Sequence, residues 1–424
     1  MSQLDPKRAV SMMKRLRDLT SDANGNQRVV FTPVWTTAVD FFKAELAKLG
    51  IPVRMDSAGN LWAELAGARP ESVVIGGHLD SVPNGGWLDG CWNVIAGLEV
   101  LRSIQERGVP PVTVKLVSWC DEEGARFGRS LYGSSAFSGH LDPAQIARLV
   151  DKEGITYADA AKAYGIDVFK APQATAEQKG VLAYLELHIE QGPVLESLGL
   201  PLGAVLGTVG VERNLITFKG QAAHSGSTPM NVRKDAFRAA GKMAQEIYAI
   251  AERHKGVCTI GSCTTKPGIV TSVVEECVIT LDQRHLDAAP LAAMWNEAQD
   301  AARRFAKEGN VEVSFADLWR IEPILFHPEL TEFCDQAIKE VVGKSHRLPS
   351  GPLHDAAEVC RAGIPTQMLF VQSLRGISHN RIEDTKEADL EASVAALAKL
   401  ADKTIPWALA RLSAKEKGGA KPSR

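Results

Sequence analysis

The chain has no Cys-x-x-Cys pair; its seven cysteines, at positions 91, 120, 258, 263, 277, 334 and 360, are scattered and odd in number. Such usage fits buried or free thiols in a reducing compartment, so a cytoplasmic protein is the expectation. Long apolar runs are missing too. The longest uncharged stretch, 197–211, holds four glycines and one proline and falls short of the roughly 18 apolar residues of a membrane span. The first residues, MSQLDPKRAVSMMKRLRDL, are charged throughout and lack an apolar h-region, so no secretory signal is expected there. Neither sign of charge is in excess: 48 Lys and Arg face 51 Asp and Glu, a net charge of −3, which disfavours nucleic acid as a partner. No internal repeat is visible, and only the end, AKEKGGAKPSR, reads as a solvated tail.

What is present is an ordinary globular composition, 45% hydrophobic and 23% charged over 424 residues, enough for two or three domains with cores of their own. The spacing of Val10, Met13 and Leu16, and of Phe41, Leu46 and Leu49, predicts two early helices. Short apolar strands follow at 73–76 and 112–119, with a helix at 94–105 between them. This alternation predicts an α/β fold, a largely parallel sheet covered by helices on both faces.

Over 204–317 the pattern changes to strand 210–219, helix 233–253, strand 257–265, strand 270–284, helix 290–307 and strand 311–315. That β-α-β-β-α-β order is the split βαβ of a ferredoxin-like sandwich. The α/β pattern then resumes with a helix at 329–342, a strand at 366–371 and a last helix at 387–401. The expected organisation is therefore a discontinuous catalytic domain, 1–203 with 318–424, interrupted by an inserted α+β domain, 204–317.

Four segments concentrate histidines and carboxylates where strands end, the place where open α/β sheets bind ligands. GGHLDSVPNGGWLDGCWN carries His78, Asp80 and Asp89; KLVSWCDEEGARF ends in Asp121, Glu122 and Glu123; AYLELHIEQG places His188 between Glu186 and Glu190; RGISHNRIEDT carries His379. Singly, each has a plain explanation, a hydrogen-bonded structural histidine or acidic residues at a helix N-terminus. Together they form a set of N and O ligands suited to Zn²⁺, Mn²⁺ or Co²⁺. Three histidines with three carboxylates could hold two ions, one carboxylate bridging them.

The strings HLDSVPNGGWLDG, EEGARF, HIEQGPVLE, GQAAHSGSTPMNVRKDA and SHNRIEDT resemble the di-metal amidohydrolases of the aminoacylase and carboxypeptidase superfamily. Within it they are most similar to the branch of N-carbamoyl-L-amino-acid hydrolases, β-ureidopropionase and allantoate amidohydrolase. The resemblance runs in order from about residue 30 to 400. It implies His78 and His188 as terminal metal ligands, Asp89 as the bridge, Glu123 and His379 as the rest of the second ion's shell, and Glu122 as general base. Asp80 would be the carboxylate that orients His78, as a ligating histidine requires. His188, where aminopeptidase-like relatives more often have an acidic ligand, points to the carbamoylase branch.

The resemblance makes the inserted domain a lid and dimerisation unit. His224 becomes a substrate-carbonyl donor reaching the neighbouring subunit's site, and Arg284 the holder of the substrate carboxylate, for which a planar guanidinium suits. Gln191 and His354 become candidate substrate contacts, with Asp355 beside the latter. Trp92 and Trp119 read as packing; Trp87, beside Asp89, is a candidate pocket wall. Thr271 stands where relatives carry Asn, and Pro352-Leu353 where they carry Ala-Gly, changes that bear on the substrate and leave the metal residues intact. The expected protein is a homodimeric hydrolase of carbon–nitrogen bonds with two divalent ions (Zn, Mn or Co) per subunit, cleaving an N-carbamoyl-L-amino acid. The alternative on the same scaffold is an N-acyl-amino-acid hydrolase or dipeptidase; a non-catalytic scaffold is disfavoured because every proposed ligand and the base are present. No membrane partner is expected.

Overall fold

The computed structural model describes residues 4–419. They form two compact units, one from the residues up to Leu206 together with those from Phe326 on, the other Gly207–Leu325. The first is built on a mixed sheet. Strand Ser72–His78 lies between Thr113–Trp119 and Val181–Ile189, parallel to both, and Thr366–Val371 extends the parallel set beyond Val181–Ile189. Antiparallel strands Leu61–Leu65 and Leu202–Thr208 flank this parallel centre.

All of Ser72–His78 is buried, which is why a central parallel strand reads as a continuous apolar run. Alternation along the strands feeds two cores. Val73, Ile75, Leu116 and Leu185 pack with residues of helices Pro6–Thr20, Cys91–Glu106 and Glu387–Gly419. Val74, Val117, Tyr184 and Phe370 pack with helix Asp355–Arg361. The sheet is thus covered on both faces, as the pattern predicts.

In the second unit the strands run in the order Val257–Lys266, Glu276–His285, Gly210–Lys219, Glu312–Ile321, all antiparallel. Helices Ala236–His254 and Ala288–Gly309 bury Met243, Ile247, Met294 and Ala298 against Ile216, Phe218, Ile279 and Leu281. Asp235 and Asp287 start these helices by accepting N–H bonds from Phe237 and Ala289, each at 3.0 Å.

Several boundaries differ from expectation. The strand expected from 270 begins at Glu276, because the preceding segment turns at Pro267-Gly268 and leaves Val270 99% exposed. The strand expected to end at 315 continues to Ile321. The last helix, expected to stop at 401, runs to Gly419, so most of the presumed tail is helical and only 420–424 lie outside the described residues. A buried stripe carries the helix past 401: Val394, Leu397 and Ala401 are followed at helical spacing by Ile405 and Ala408. Pro406 is tolerated because it and Asp402, whose carbonyl it cannot pair with, face solvent. No helix among the described residues is long and apolar enough to cross a membrane.

Candidate active site

The carboxyl ends of three neighbouring strands deliver the site. Ser72–His78 ends in His78, Thr113–Trp119 leads into Asp121 to Glu123, and Val181–Ile189 carries His188. The acidic triplet does not open a helix; it lies in an irregular turn with Asp121 at φ 53°. Asp80 accounts for that turn: its Oδ1 accepts the N–H of Glu122 at 3.3 Å and its Oδ2 that of Glu123 at 3.0 Å. His78 Nδ1 meets the backbone carbonyl of Asp80 at 3.1 Å, whereas the Asp80 carboxylate is 3.7 Å away. Asp80 therefore orients His78 through its main chain and the two glutamates through its side chain.

Helix Cys91–Glu106 begins directly beneath His78. A Cβ on Gly90 would fall 1.9 Å from His78 Nε2, and Gly90 has φ 58°, so only glycine fits this approach. The turn brings Asp89 between two groups of donors. Its Oδ1 lies 3.2 Å from His188 Nε2 and 4.0 Å from His78 Nε2. Its Oδ2 lies 3.3 Å from His379 Nε2, which is also 3.3 Å from Glu123 Oε2. The ligand atoms of His78, Asp89 and His188, and those of Asp89, Glu123 and His379, each lie within 4.8 Å of one another. Asp89 belongs to both sets and offers one oxygen to each.

Ring orientation suits ligation. His188 Nδ1 is 2.8 Å from the carbonyl oxygen of Ile189, an acceptor only, so Nδ1 carries the hydrogen and Nε2 presents a lone pair. The same reasoning holds for His78, whose Nε2 is buried and has no hydrogen-bond partner among the described residues. Such an orphan atom fits a metal ligand.

Carboxylates crowd the site, and they are shifted in different directions. Burial, then the carboxylates of Asp355 and Glu123, push Glu122 well above the usual carboxylate range. Glu123 is driven up by burial and then by Asp89 and Asp80. Asp89 goes the other way: burial raises it, but hydrogen bonds from His188 and His379, whose Nε2 atoms carry a proton when they bind no ion, outweigh this and hold it well below the usual range. Glu122 Oε2 stands 3.6 Å from His78 Nε2 and belongs to neither ligand set.

The weaker expectations fare unevenly. Gln191 Nε2 donates to Asp89 Oδ2 at 2.9 Å and to Ser378 Oγ at 3.1 Å. His354 is buried, its ring centroid 4.2 Å from that of His188, and burial followed by the charge of His188 takes it well below the usual imidazole range. Trp87 donates to Asp384 at 3.3 Å and carries the Arg17 guanidinium on its face, a packing arrangement. Trp92 and Trp119 are buried in the cores. Sequence reading overlooked Glu383, a buried carboxylate that accepts the N–H groups of Leu88 and Asp89. Its only signal was an acid four residues past His379 in the same polar turn.

His224 and Arg284 belong to the second unit. His224 is exposed, and its Nδ1 accepts the N–H groups of Gly226 at 3.1 Å and Ser227 at 3.2 Å. The proton therefore sits on Nε2, the tautomer opposite to that of His78 and His188, leaving a donor pointed outward. Arg284 donates through Nε to Asp282 Oδ1 at 2.8 Å, and Arg213 shares that carboxylate. Thr271 holds this turn, its carbonyl accepting the Ser225 N–H at 2.9 Å.

Residues 74–403 match the family described as Peptidase family M20/M25/M40. The chain is 38% identical over 372 residues to an N-carbamoyl-L-amino acid amidohydrolase of Geobacillus stearothermophilus, covering 86% of this chain and 90% of that protein. It is 34% identical to the allantoate amidohydrolase of Escherichia coli, covering 89% of this chain and 92% of that one. A crystal structure of a hydantoinase/carbamoylase family amidase from Burkholderia ambifaria superposes with a TM-score of 0.86 at 32% identity, over 95% of this chain and 98% of that chain.

Proposed function

The chain belongs to peptidase family M20/M25/M40, within it to the branch of N-carbamoyl-L-amino-acid and allantoate amidohydrolases, and from this premise we propose that it hydrolyses the C–N bond of a small N-carbamoyl-L-amino acid. The coarser activity is plain: it is a metal-dependent amidohydrolase acting on carbon–nitrogen bonds other than peptide bonds. The observation that carries the two-metal site is Asp89 turning one oxygen to His78 and His188 and the other to His379 and Glu123.

In this proposal His78, Asp89 and His188 hold one ion and Asp89, Glu123 and His379 the other, a donor set that fits Zn²⁺, Mn²⁺ or Co²⁺. Bound, the pair supplies a water of lowered pKa and polarises the substrate carbonyl. Glu122 is left as the base. Its burial among carboxylates favours taking a proton from the attacking water and passing it to the leaving nitrogen. The unit Gly207–Leu325 acts as lid and dimerisation domain of a cytoplasmic homodimer, His224 Nε2–H serving the substrate carbonyl and Arg284 its carboxylate. Products would be the amino acid, ammonia and carbon dioxide.

His188 in place of an acidic ligand, with the 38% identity to an N-carbamoyl-L-amino acid amidohydrolase, favours this reading over an N-acyl-amino-acid hydrolase or dipeptidase. The test is a panel of N-carbamoyl, N-formyl and N-acetyl amino acids, dipeptides and allantoate on metal-loaded protein. Ammonia release from the ureido compounds alone is the expected result. Turnover confined to N-acyl compounds or dipeptides would replace it.

A further inference from the structure

Cys263 and Cys277 lie on neighbouring strands of the second unit, Val257–Lys266 and Glu276–His285, with their Sγ atoms 3.6 Å apart. The pairing of Cys263 with Ile279 and of Thr265 with Cys277 makes them diagonal neighbours on one face of the sheet. A register shift between Ile260 and Cys263 adjoins them, and such a bulge bends its strand locally. The two thiols are unequal. Cys263 is exposed and Cys277 buried; burial, then the hydrogen bond with Cys263, pushes the Cys277 thiol up to about 12. An oxidant therefore meets Cys263 first. Cys277 stands in contact behind it, and closing the sulfurs to about 2.05 Å would complete a disulfide.

Between the two cysteines the chain makes the hairpin turn 267–275, and the His224 turn rests on it. Ser225 donates its N–H to the Thr271 carbonyl at 2.9 Å, Val273 donates to the Ala223 carbonyl at 2.8 Å, and His224 pairs with Ser272 as an isolated bridge. Gly220 donates to the Glu275 carbonyl at 2.6 Å, at the foot of the same hairpin. The cysteine pair thus sits at the base of the element that holds His224.

We propose that Cys263 and Cys277 form a reversible disulfide site, oxidised by peroxides, whose closure restrains the hairpin with its His224 turn and so lowers turnover. The effect on turnover rests on the role proposed for His224. In the first step the Cys263 thiolate attacks one oxygen of hydrogen peroxide, the O–O bond breaks, and the departing hydroxide takes up the thiol's proton as water. The Cys277 sulfur then attacks the Cys263 sulfenic acid. The S–S bond forms as the S–O bond breaks, and the hydroxyl leaves with the Cys277 proton as a second water. Two electrons pass from the thiols to the peroxide, and a thiol reductant reverses the bond by exchange.

The experiment treats the metal-loaded full chain with hydrogen peroxide, blocks the remaining thiols, maps the cysteines by mass spectrometry and follows hydrogen exchange in 220–225 and 267–275. The expected main product is the cross-link between Cys263 and Cys277. Exchange in both segments should slow by at least about 10-fold, because opening of the hairpin is restrained. In the same sample kcat/KM for an N-carbamoyl-L-amino acid should fall by at least about 10-fold, since misplacing a catalytic group by about 1 Å can cost more than this. A reductant should reverse all three effects, and peroxide should produce none of them in Cys263→Ser. Oxidation confined to other cysteines, or a bond from Cys263 to a second chain, overturns the proposal. So does a complete cross-link that leaves exchange or turnover unchanged. If the reduced protein turns over no amide or ureido compound, the amidohydrolase reading fails, while the cross-link and the exchange rates still decide for or against the disulfide site.

Discussion

Glu383 Oε1 accepts the backbone N–H of Asp89 at 3.1 Å, so the residue shared by both ligand sets is gripped through its main chain as well as its side chain. The same oxygen takes the N–H of Leu88 at 3.1 Å, and Oε2 takes the Ser378 hydroxyl at 2.8 Å. Burial, then the nearby Asp89 charge, push Glu383 up to about 7. A carboxylate so placed fixes the angle at which Asp89 meets its partners, the kind of support on which metal affinity depends.

Removing that grip should therefore loosen the metals without touching a ligand. Glu383→Ala is expected to weaken binding by about 10- to 100-fold in chelator competition. Glu383→Gln keeps an oxygen for the two N–H groups and should recover most of the loss. Equal affinity in the alanine variant and wild type would refute the positioning role.

Base and ligand can be separated at adjacent positions. Glu122→Gln preserves shape and removes the proton acceptor, so kcat should fall at least about 10²-fold with metal content nearly unchanged. Glu123→Gln should instead lower metal occupancy by elemental analysis. Exhaustive chelation should abolish activity in the wild type, with Mn²⁺, Co²⁺ or Zn²⁺ restoring it. The opposite pattern in the two variants would exchange their roles, and full activity in demonstrably metal-free protein would remove the metals from the reaction.

Much of this site was legible in the chain itself. His78, Asp89, Glu123, His188 and His379 lie in strings whose apolar strands end in polar turns, and such strands are readable because a central parallel strand is apolar on both faces. Other features depend on where distant segments meet. Glu383 matters because a turn 294 residues away in sequence presents the Asp89 N–H to it, and no local periodicity encodes that. The opposite tautomers of His188 and His224 follow from which backbone group, a carbonyl or an N–H, each Nδ1 meets. The apolar run around Val270 misled for a local reason: Pro267 and Gly268 turn the chain before those residues can pair.

Acid should weaken the N-terminal helix pair through Glu45. Its nearly buried carboxylate accepts from Lys48 at 2.6 Å and Arg15 at 2.7 Å. Burial raises its pKa, but these bonds prevail and lower it. A lowered folded-state pKa stabilises above the unfolded value of about 4.3 and loses that contribution as pH falls through the folded value. Glu45→Gln should thus cost roughly 0.5–1.5 kcal/mol at pH 7 in denaturant unfolding, with the gap to wild type closing at pH values below about 4. A gap that persists or widens in acid would contradict the assignment.

The shared-site proposal has its own test. The inserted sheet ends in strands Val257–Lys266 and Glu312–Ile321, and an unpaired strand edge is a template for association. His224 sits in an exposed turn of that unit with its Nε2–H directed outward. If it serves the site of a partner copy, a Glu122→Gln subunit and a His224→Ala subunit should complement each other. In the mixed dimer one site receives both lesions, while the other combines an intact Glu122 with an intact histidine from across the interface. Each homodimer should be nearly inactive. The isolated, doubly tagged heterodimer should recover toward half of the wild-type rate per dimer, because one site in two is whole. A heterodimer as inactive as its parents would mean that His224 acts within its own subunit or not in catalysis, and a sedimentation experiment showing only monomers in the active wild-type enzyme would reject the shared site outright.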